Sequence, residues 1–136
     1  ADSRLIGLYK THFQPSKQLA HPCAILTVSV FCADTQEHAN ALQLTYDLNL
    51  FRFFTGQSNG RSLTPKEAIS YPLGAQERAF IASRENSRAS GTPRKVKQQI
   101  EDIAALHDAD EIMAVTNIYY LEDRKRSFQL LKGAFE

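Results

Sequence analysis

The chain has 136 residues, of which 43% are hydrophobic and 23% charged, and its formal net charge is +1. These values are typical of one soluble globular domain with a sizeable core. The weak, evenly spread charge excludes the basic surface that nucleic acids or anionic membranes require. No apolar run could span a bilayer and no signal peptide is visible, so the default expectation is a cytoplasmic protein. The start at Ala1, without Met, favours a processed or excised segment.

The first predicted elements are a helix and a buried strand. Residues 4–13 carry apolar side chains at close to helical spacing, and Pro15 ends that helix. The run from Cys23 to Cys32 is almost wholly apolar and rich in β-branched residues, which is typical of a strand buried on both faces of a parallel sheet. A straight strand would hold the two thiols about 30 Å apart, so we expect buried free thiols and no disulfide.

A long helix and a helical excursion are predicted next. Asp34, followed three residues later by Glu37, predicts a capped helix that ends at Gly56. Residues 57–84 then form a polar loop and two further helical segments. The first of these segments begins with the capping box Thr64-Pro65-Lys66-Glu67.

The last third of the chain predicts a helix, a strand and a closing helix. Gly91-Thr92-Pro93 follows at most a short strand and opens the first helix, and residues 111–118 form the strand. A last helix starts near Glu122. A sheet built from two such strands would keep open apolar edges, which calls for a partner chain. The side chains expected to face inward from these helices are Val96, Ile100, Ile103, Ala104, Leu106, Phe128, Leu131 and Phe135.

Three motifs, in this order, carry a family resemblance. They are residues 30–35 (VFCADT), residues 90–93 (SGTP), and residues 109–113 (ADEIM) followed by residues 126–131 (RSFQLL). The order resembles the sixth strand, the turn before the penultimate helix, and the eighth strand with the closing helix of bacterial luciferase-like flavin-dependent monooxygenases. The resemblance spans essentially the whole chain but only the C-terminal portion of a family member. It implies an α/β fold, the C-terminal part of a (β/α)8 TIM barrel with parallel strands flanked by helices.

The same resemblance implies an organisation and an activity. Residues 1–136 would form a single domain, and residues 57–84 would be the excursion inserted in these barrels. The intact parent would oxidise a small organic substrate with O2 and reduced flavin, either FMN or a deazaflavin. The first five strands, which hold most flavin contacts and the catalytic residues of the family, have no counterpart here. We therefore assign no catalytic residue and expect the isolated segment to be inactive. The implied partners are the substrate and either the remaining barrel strands or a second copy, as in a homo-oligomer.

Four residues are candidates for contact with the cofactor: Gly91, Thr92, Thr116 and Asn117. Gly91 and Thr92 offer backbone N–H groups at a helix N-terminus, where anions bind, and the alternative is an ordinary N-cap. Thr116, Asn117 and Tyr119 lie at the C-terminal end of the last predicted strand, and barrels carry their active sites at the carboxyl ends of strands. The alternative is that they are turn residues. The four histidines lack the spacing of metal ligands, so no metal site is predicted.

Two other functions remain open. The chain could be a non-catalytic α/β domain that dimerises through its exposed sheet edges. It could also be a subunit that completes its barrel with a separately encoded N-terminal chain.

Overall fold

The computed structural model describes residues 2–136 and shows a three-stranded parallel sheet flanked by helices, which confirms the predicted α/β class. The described part of the chain contains no helix with both the length and the hydrophobicity of a membrane span. The elements in chain order are α1 (Arg4–His12), β1 (Ile25–Cys32), α2 (Gln36–Phe54), α3 (Pro65–Ile69), α4 (Ala75–Ser83), a short 3-10 helix (Glu85–Ser87), β2 (Arg88–Gly91), α5 (Pro93–His107), β3 (Glu111–Val115) and α6 (Leu121–Phe135).

The sheet has the order β2-β1-β3, so the long strand β1 lies in the centre. Its second half pairs with β2, where Cys32 lies opposite Gly91, and its first half pairs with β3, where Ile25 lies opposite Glu111. The prediction that the two apolar runs are sheet neighbours is confirmed. Their direct pairing corrects the assignment of these strands as the sixth and eighth of a barrel, because strands in consecutive order would have another strand between them.

The two faces of the sheet differ in how they are covered. Val28, Val30 and Cys32 are buried under α5 and α6. Successive residues of a strand point to opposite faces, so Ile25 and Thr27 lie on the other side. Both residues are exposed, and so are their partners on β3, Glu111 and Met113. Ile25 and Met113 each expose 53% of their surface. We call Ile25, Thr27, Glu111 and Met113 the open face.

The polar residues at the helix ends explain where α2 and α3 begin. Thr35, not Asp34 as expected, caps α2 by accepting a hydrogen bond from His38 N at 3.2 Å. The Asp34 carboxylate instead accepts two hydrogen bonds from the guanidinium of Arg126 in α6. The capping box predicted at Thr64 and Glu67 is confirmed, with both reciprocal bonds present. The excursion then packs on α2 through the cluster Leu48, Leu63 and Ala68.

Several burial predictions need correction. In α5 the buried stripe is Val96, Ile100, Ile103 and His107, and Leu106 is exposed because it falls beside the stripe that a helical repeat generates. In α6, Ser127 is the buried residue, and its Oγ accepts from Cys32 N at 3.0 Å. Leu131 packs against the core as predicted, together with Leu130. Phe128 and Phe135 therefore lie partly in solvent.

The strand limits also differ from the prediction. β1 begins at Ile25, so Cys23 precedes the sheet and is exposed, whereas Cys32 is buried as expected. Both thiols are free. β3 ends at Val115, and residues 116–118 form the connection that leads towards α6.

Candidate functional site

A cleft of about 310 Å³ lies between α2 and the segment that follows β3. Because that segment leaves the carboxyl end of the strand, the cleft is at the end of the sheet where α/β proteins bind their ligands. Within residues 2–136, no carboxylate lines it. The lining residues are Thr45, Tyr46, Asn49, Leu50, Phe53, Ser62, Asn117, Ile118, Tyr119 and Arg124.

One wall of the cleft is a single face of α2. Tyr46, Leu50 and Phe53 follow one another at spacings of four and three residues, which puts them on the same side of the helix. Asn49 is held in this wall by the excursion. Its Nδ2 donates to Leu63 O at 3.0 Å, and its Oδ1 accepts from Leu63 N at 2.6 Å. The start of the excursion therefore fixes the shape of the cleft.

The opposite wall is the connection between β3 and α6. Ile118 is buried in a hydrophobic cluster with Phe31 of β1 and Leu42 of α2. Its carbonyl oxygen accepts from Arg124 Nη2 at 2.9 Å. Tyr119 lies beside Tyr120 with ring centroids 4.9 Å apart, edge to face. Arg124 thus turns back from the first turns of α6 towards the floor of the cleft.

The structure brings only some of the predicted site residues to this cleft. Asn117 and Tyr119 line it. Thr116 is buried and does not line the cleft, and its Oγ1 has no hydrogen-bond partner among residues 2–136. Gly91 and Thr92 lie elsewhere, where β2 meets α5.

Gly91 has a packing role that the structure makes visible. Its φ is 147°, and its carbonyl oxygen accepts from Ala33 N at 3.1 Å. A Cβ at this position would lie 2.8 Å from Gln36 Oε1 and 2.9 Å from Lys95 Cδ. A side chain added at this position would therefore meet the side chains of Gln36 and Lys95. Thr92 is the N-cap residue of α5, but its side chain makes no capping hydrogen bond within the described chain.

A buried ionic cluster lies beside β2. Asp47 is completely buried and binds Arg88 and also Arg84, whose Nε lies 3.0 Å from Oδ1. Gln43 Oε1 accepts from Arg88 Nη2 at 2.9 Å in the amide orientation that gives both of its polar atoms a partner. Burial raises the pKa of Asp47, and the two arginines oppose that rise.

The sequence pattern did not point to this cluster. Its one available signal was an aspartate within the apolar run Leu44, Leu48 and Phe51 of an amphipathic helix. A buried acid of this kind needs a cationic partner, but the arginines lie 37 and 41 residues further along the chain.

The cleft has only some of the groups that a flavin site would need. It offers aromatic walls and the carboxamides of Asn49 and Asn117, but its volume of about 310 Å³ is small for a three-ring cofactor. Gly91 and Thr92, at the start of α5, do not line this cleft. Among residues 2–136, no group of three or more His, Cys, Asp and Glu side chains could hold a metal ion.

No protein-family model matches the chain. It is 33% identical over 128 residues to YceB of Bacillus subtilis, described as an uncharacterized protein. It is 25% identical over 125 residues to a protein of Escherichia coli K12 described as a luciferase-like monooxygenase. The crystal structure of apo-MsnO8 superimposes with a TM-score of 0.82 at 27% identity.

These matches cover nearly all of this chain but a minor part of each relative. The YceB match spans 94% of this chain and 38% of YceB, and the E. coli match spans 92% and 37%. The apo-MsnO8 match covers 98% of this chain and 40% of that chain. The chain thus spans less than half the length of the proteins it matches. Together these similarities relate the chain, at a distance, to luciferase-like monooxygenases.

Proposed function

We propose that this chain forms the C-terminal part of a flavin-dependent, luciferase-like monooxygenase, in which it closes a (β/α)8 barrel and supplies one side of the substrate cleft. The observation that carries the proposal is the parallel pairing of β1 with β3, whose open face and edges are uncovered. Such apolar surfaces need a partner. In the relatives, more than half of the chain lies outside the matched region, and that part is long enough to provide the partner.

The sheet leaves room for further strands, although its order β2-β1-β3 is not the consecutive order of barrel strands. β3 pairs on one side only, and the first half of β1 has no strand of residues 2–136 beside it on the β2 side. Further strands could therefore add at both places. α5 and α6 cover one side of the sheet, and α2 packs on the other side at Phe31, near the carboxyl end of β1. Ile25 and Met113 on that second side stay uncovered, where a barrel would place inward-pointing side chains.

In this proposal the chain's own residues shape the cleft. Reduced flavin, when bound, supplies the electrons for the reduction of O2. Tyr46 and Phe53 would exclude water from the reacting region, and Asn117 would orient polar groups of the cofactor or substrate. The acid–base residues would come from the strands that this chain lacks.

The test is complementation. The chain is mixed with the separately expressed part of MsnO8 that lies outside the match, which we expect to be its N-terminal part, and complex formation is followed by analytical ultracentrifugation. FMN binding is measured by quenching of flavin fluorescence. We expect a one-to-one complex that binds FMN although neither part binds it tightly alone. Met113→Lys on the open face should abolish the complex without changing the circular dichroism of the free chain. Failure to form a complex, or sub-micromolar FMN binding by the isolated chain, would contradict the proposal.

A second candidate is a non-catalytic domain that dimerises through its sheet. The uncovered edge of β3 and the open face favour it, because a second copy could cover both. Sedimentation separates the two functions. A homodimer that persists in the presence of the N-terminal part would support dimerisation, and a homodimer that is displaced by that part would support barrel completion.

A further inference from the structure

We propose that the cleft between α2 and the β3–α6 connection binds an organic anion, a molecule with a flat apolar body and one carboxylate or sulfonate group that Arg124 holds. The assignment of this molecule as the oxidised substrate rests on the proposed function. The binding itself does not, because every residue that carries it belongs to this chain.

The charge of the cleft is the first argument. Arg124 is the one permanently charged residue among the described residues that line it, and no acidic side chain is among them. Arg124 forms no salt bridge within residues 2–136, whereas Arg126, two residues further on, binds Asp34 through two hydrogen bonds of 3.0 and 2.6 Å. Within this part of the chain, the guanidinium of Arg124 is therefore a cation without a counterion beside an open cleft.

Nearby acids do not neutralise this cation by contact. Glu122 and Asp123 precede Arg124 in the first turn of α6. Glu122 is paired with Lys125 at 2.9 Å, and Asp123 with His38 at 3.0 Å. The start of a helix adds a positive potential of its own, which favours an anion at the same end of the cleft.

The orientation of Arg124 is the second argument. Its Nη2 donates to Ile118 O at 2.9 Å, and Ile118 is buried. This bond fixes the plane of the guanidinium and leaves its other N–H groups free, because arginine carries five of them in a rigid fork. A fork held in place binds a carboxylate or sulfonate with less loss of side-chain entropy than a mobile lysine would.

The apolar body is indicated by the other walls. Tyr46, Leu50 and Phe53 form one side and Tyr119 the other, and Phe53 exposes 68% of its surface in the free chain. Flat aromatic ligands pack well between such side chains. A volume of about 310 Å³ is at the small end of ligand pockets, which suits a molecule of one or two rings.

The test is a titration of the ¹⁵N-labelled chain by NMR with 2-naphthoate and with the neutral 2-naphthalenemethanol, which has the same ring system. We expect naphthoate to shift the side-chain amide signals of Asn49 and Asn117 and to bind about tenfold more tightly than the alcohol, the effect of one charge-assisted contact. Arg124→Gln should remove that preference and leave binding of the alcohol unchanged. Lys132→Gln, a change of an exposed cation eight residues further along α6, should leave both affinities unchanged.

Other results would overturn the inference. Equal affinity for the acid and the alcohol, or a preference that survives Arg124→Gln, would show that Arg124 does not hold the anion. Shifts confined to Ile25 and Met113 would show that the aromatic ring binds the open face instead. If Arg124→Gln fails to fold, Arg124→Lys keeps the charge but not the fork and should weaken naphthoate binding selectively. Because the titration contains neither flavin nor a second chain, it can fail while complementation succeeds, and the reverse.

Discussion

Arg88 of β2 donates a hydrogen bond to the carboxylate of Asp47 in α2, and both side chains are buried. Arg84, just after α4, binds the other carboxylate oxygen. One carboxylate thus joins the long helix, the end of the excursion and the edge strand. Because Gln43 also binds Arg88, the position of β2 beside β1 depends on this cluster.

Replacement of Asp47 by Asn should destabilise the fold strongly. The amide would leave Arg88 buried without a counterion, and loss of one partner of a buried ion pair costs about 3–5 kcal/mol. The free energy of unfolding can be measured by urea denaturation followed by circular dichroism. Asp34→Asn is the matched control, because Asp34 forms a solvent-exposed pair with Arg126 and its loss should change the free energy of unfolding much less. Equal decreases in the free energy of unfolding in the two variants would show that the buried pair stabilises the fold no more than the exposed pair.

Gly91→Ala should also destabilise the chain, for a reason of backbone geometry. A φ of 147° is a region that residues with a Cβ rarely adopt, and such strain costs about 1–3 kcal/mol. The contacts with Gln36 and Lys95 can relax, because both neighbours are long side chains, but the backbone angle cannot.

Gly133→Ala is the control for that variant. Gly133 is exposed in α6, and a methyl group added there would meet no atom of another described element within 4 Å. Alanine at this position should stabilise the helix by up to about 1 kcal/mol. Opposite signs for the two substitutions in thermal unfolding would confirm that conformation, and not the loss of glycine as such, decides the outcome. A stabilised Gly91→Ala variant would contradict the φ argument.

Local features of the fold could be predicted from the sequence because local chemistry determines them. The capping box at Thr64 and Glu67 needs only residues three positions apart, and the stripe Val96, Ile100 and Ile103 needs only helical periodicity. The same is true of β1, because its short length and its β-branched residues favour a strand over a helix.

Features that depend on distant parts of the chain could not be predicted. Nothing within β1 specifies that β3 pairs on one side and β2 on the other, and the sequence of β2, Arg-Ala-Ser-Gly, has no apolar pattern that would mark it as a strand. The cleft joins Asn49 to Asn117 and Arg124, and only the folded sheet brings them together. Asn117 could be proposed because it follows a strand, whereas Arg124 lies in a charged run that is typical of a solvated helix.

The stability of the chain should fall in acid partly through Glu67. Arg61, followed by the backbone N–H of Thr64, lowers the pKa of Glu67 from 4.5 to about 2. A pKa that is lower in the folded state means that the ionised form stabilises the fold. This contribution is present above about pH 4.5 and is lost as the pH falls towards about 2.

Urea denaturation across this pH range should therefore show a smaller decline for Glu67→Gln than for the unchanged chain. The difference between the two is the readout, because Asp34 and Asp110 also have lowered pKa values and contribute their own acid sensitivity. Arg61→Gln should also show a smaller decline than the unchanged chain, since Arg61 is the main cause of the lowered pKa of Glu67. Parallel declines in all three proteins would show that the Arg61–Glu67 pair does not act in solution.

The two cysteines should react with Ellman's reagent at very different rates. Cys23 precedes β1 and is exposed, whereas Cys32 is buried under α6, and burial raises the pKa of its thiol to about 11. The thiolate is the reactive form, so Cys32 is both inaccessible and protonated at mildly alkaline pH. In the native chain we expect one fast thiol, and a second only after denaturation. Cys23→Ser should abolish the fast phase, and Cys32→Ser should leave it intact. Fast reaction of both thiols in the native chain would mean that α6 separates readily from β1, which would contradict the packing of Ser127 on the backbone of Cys32.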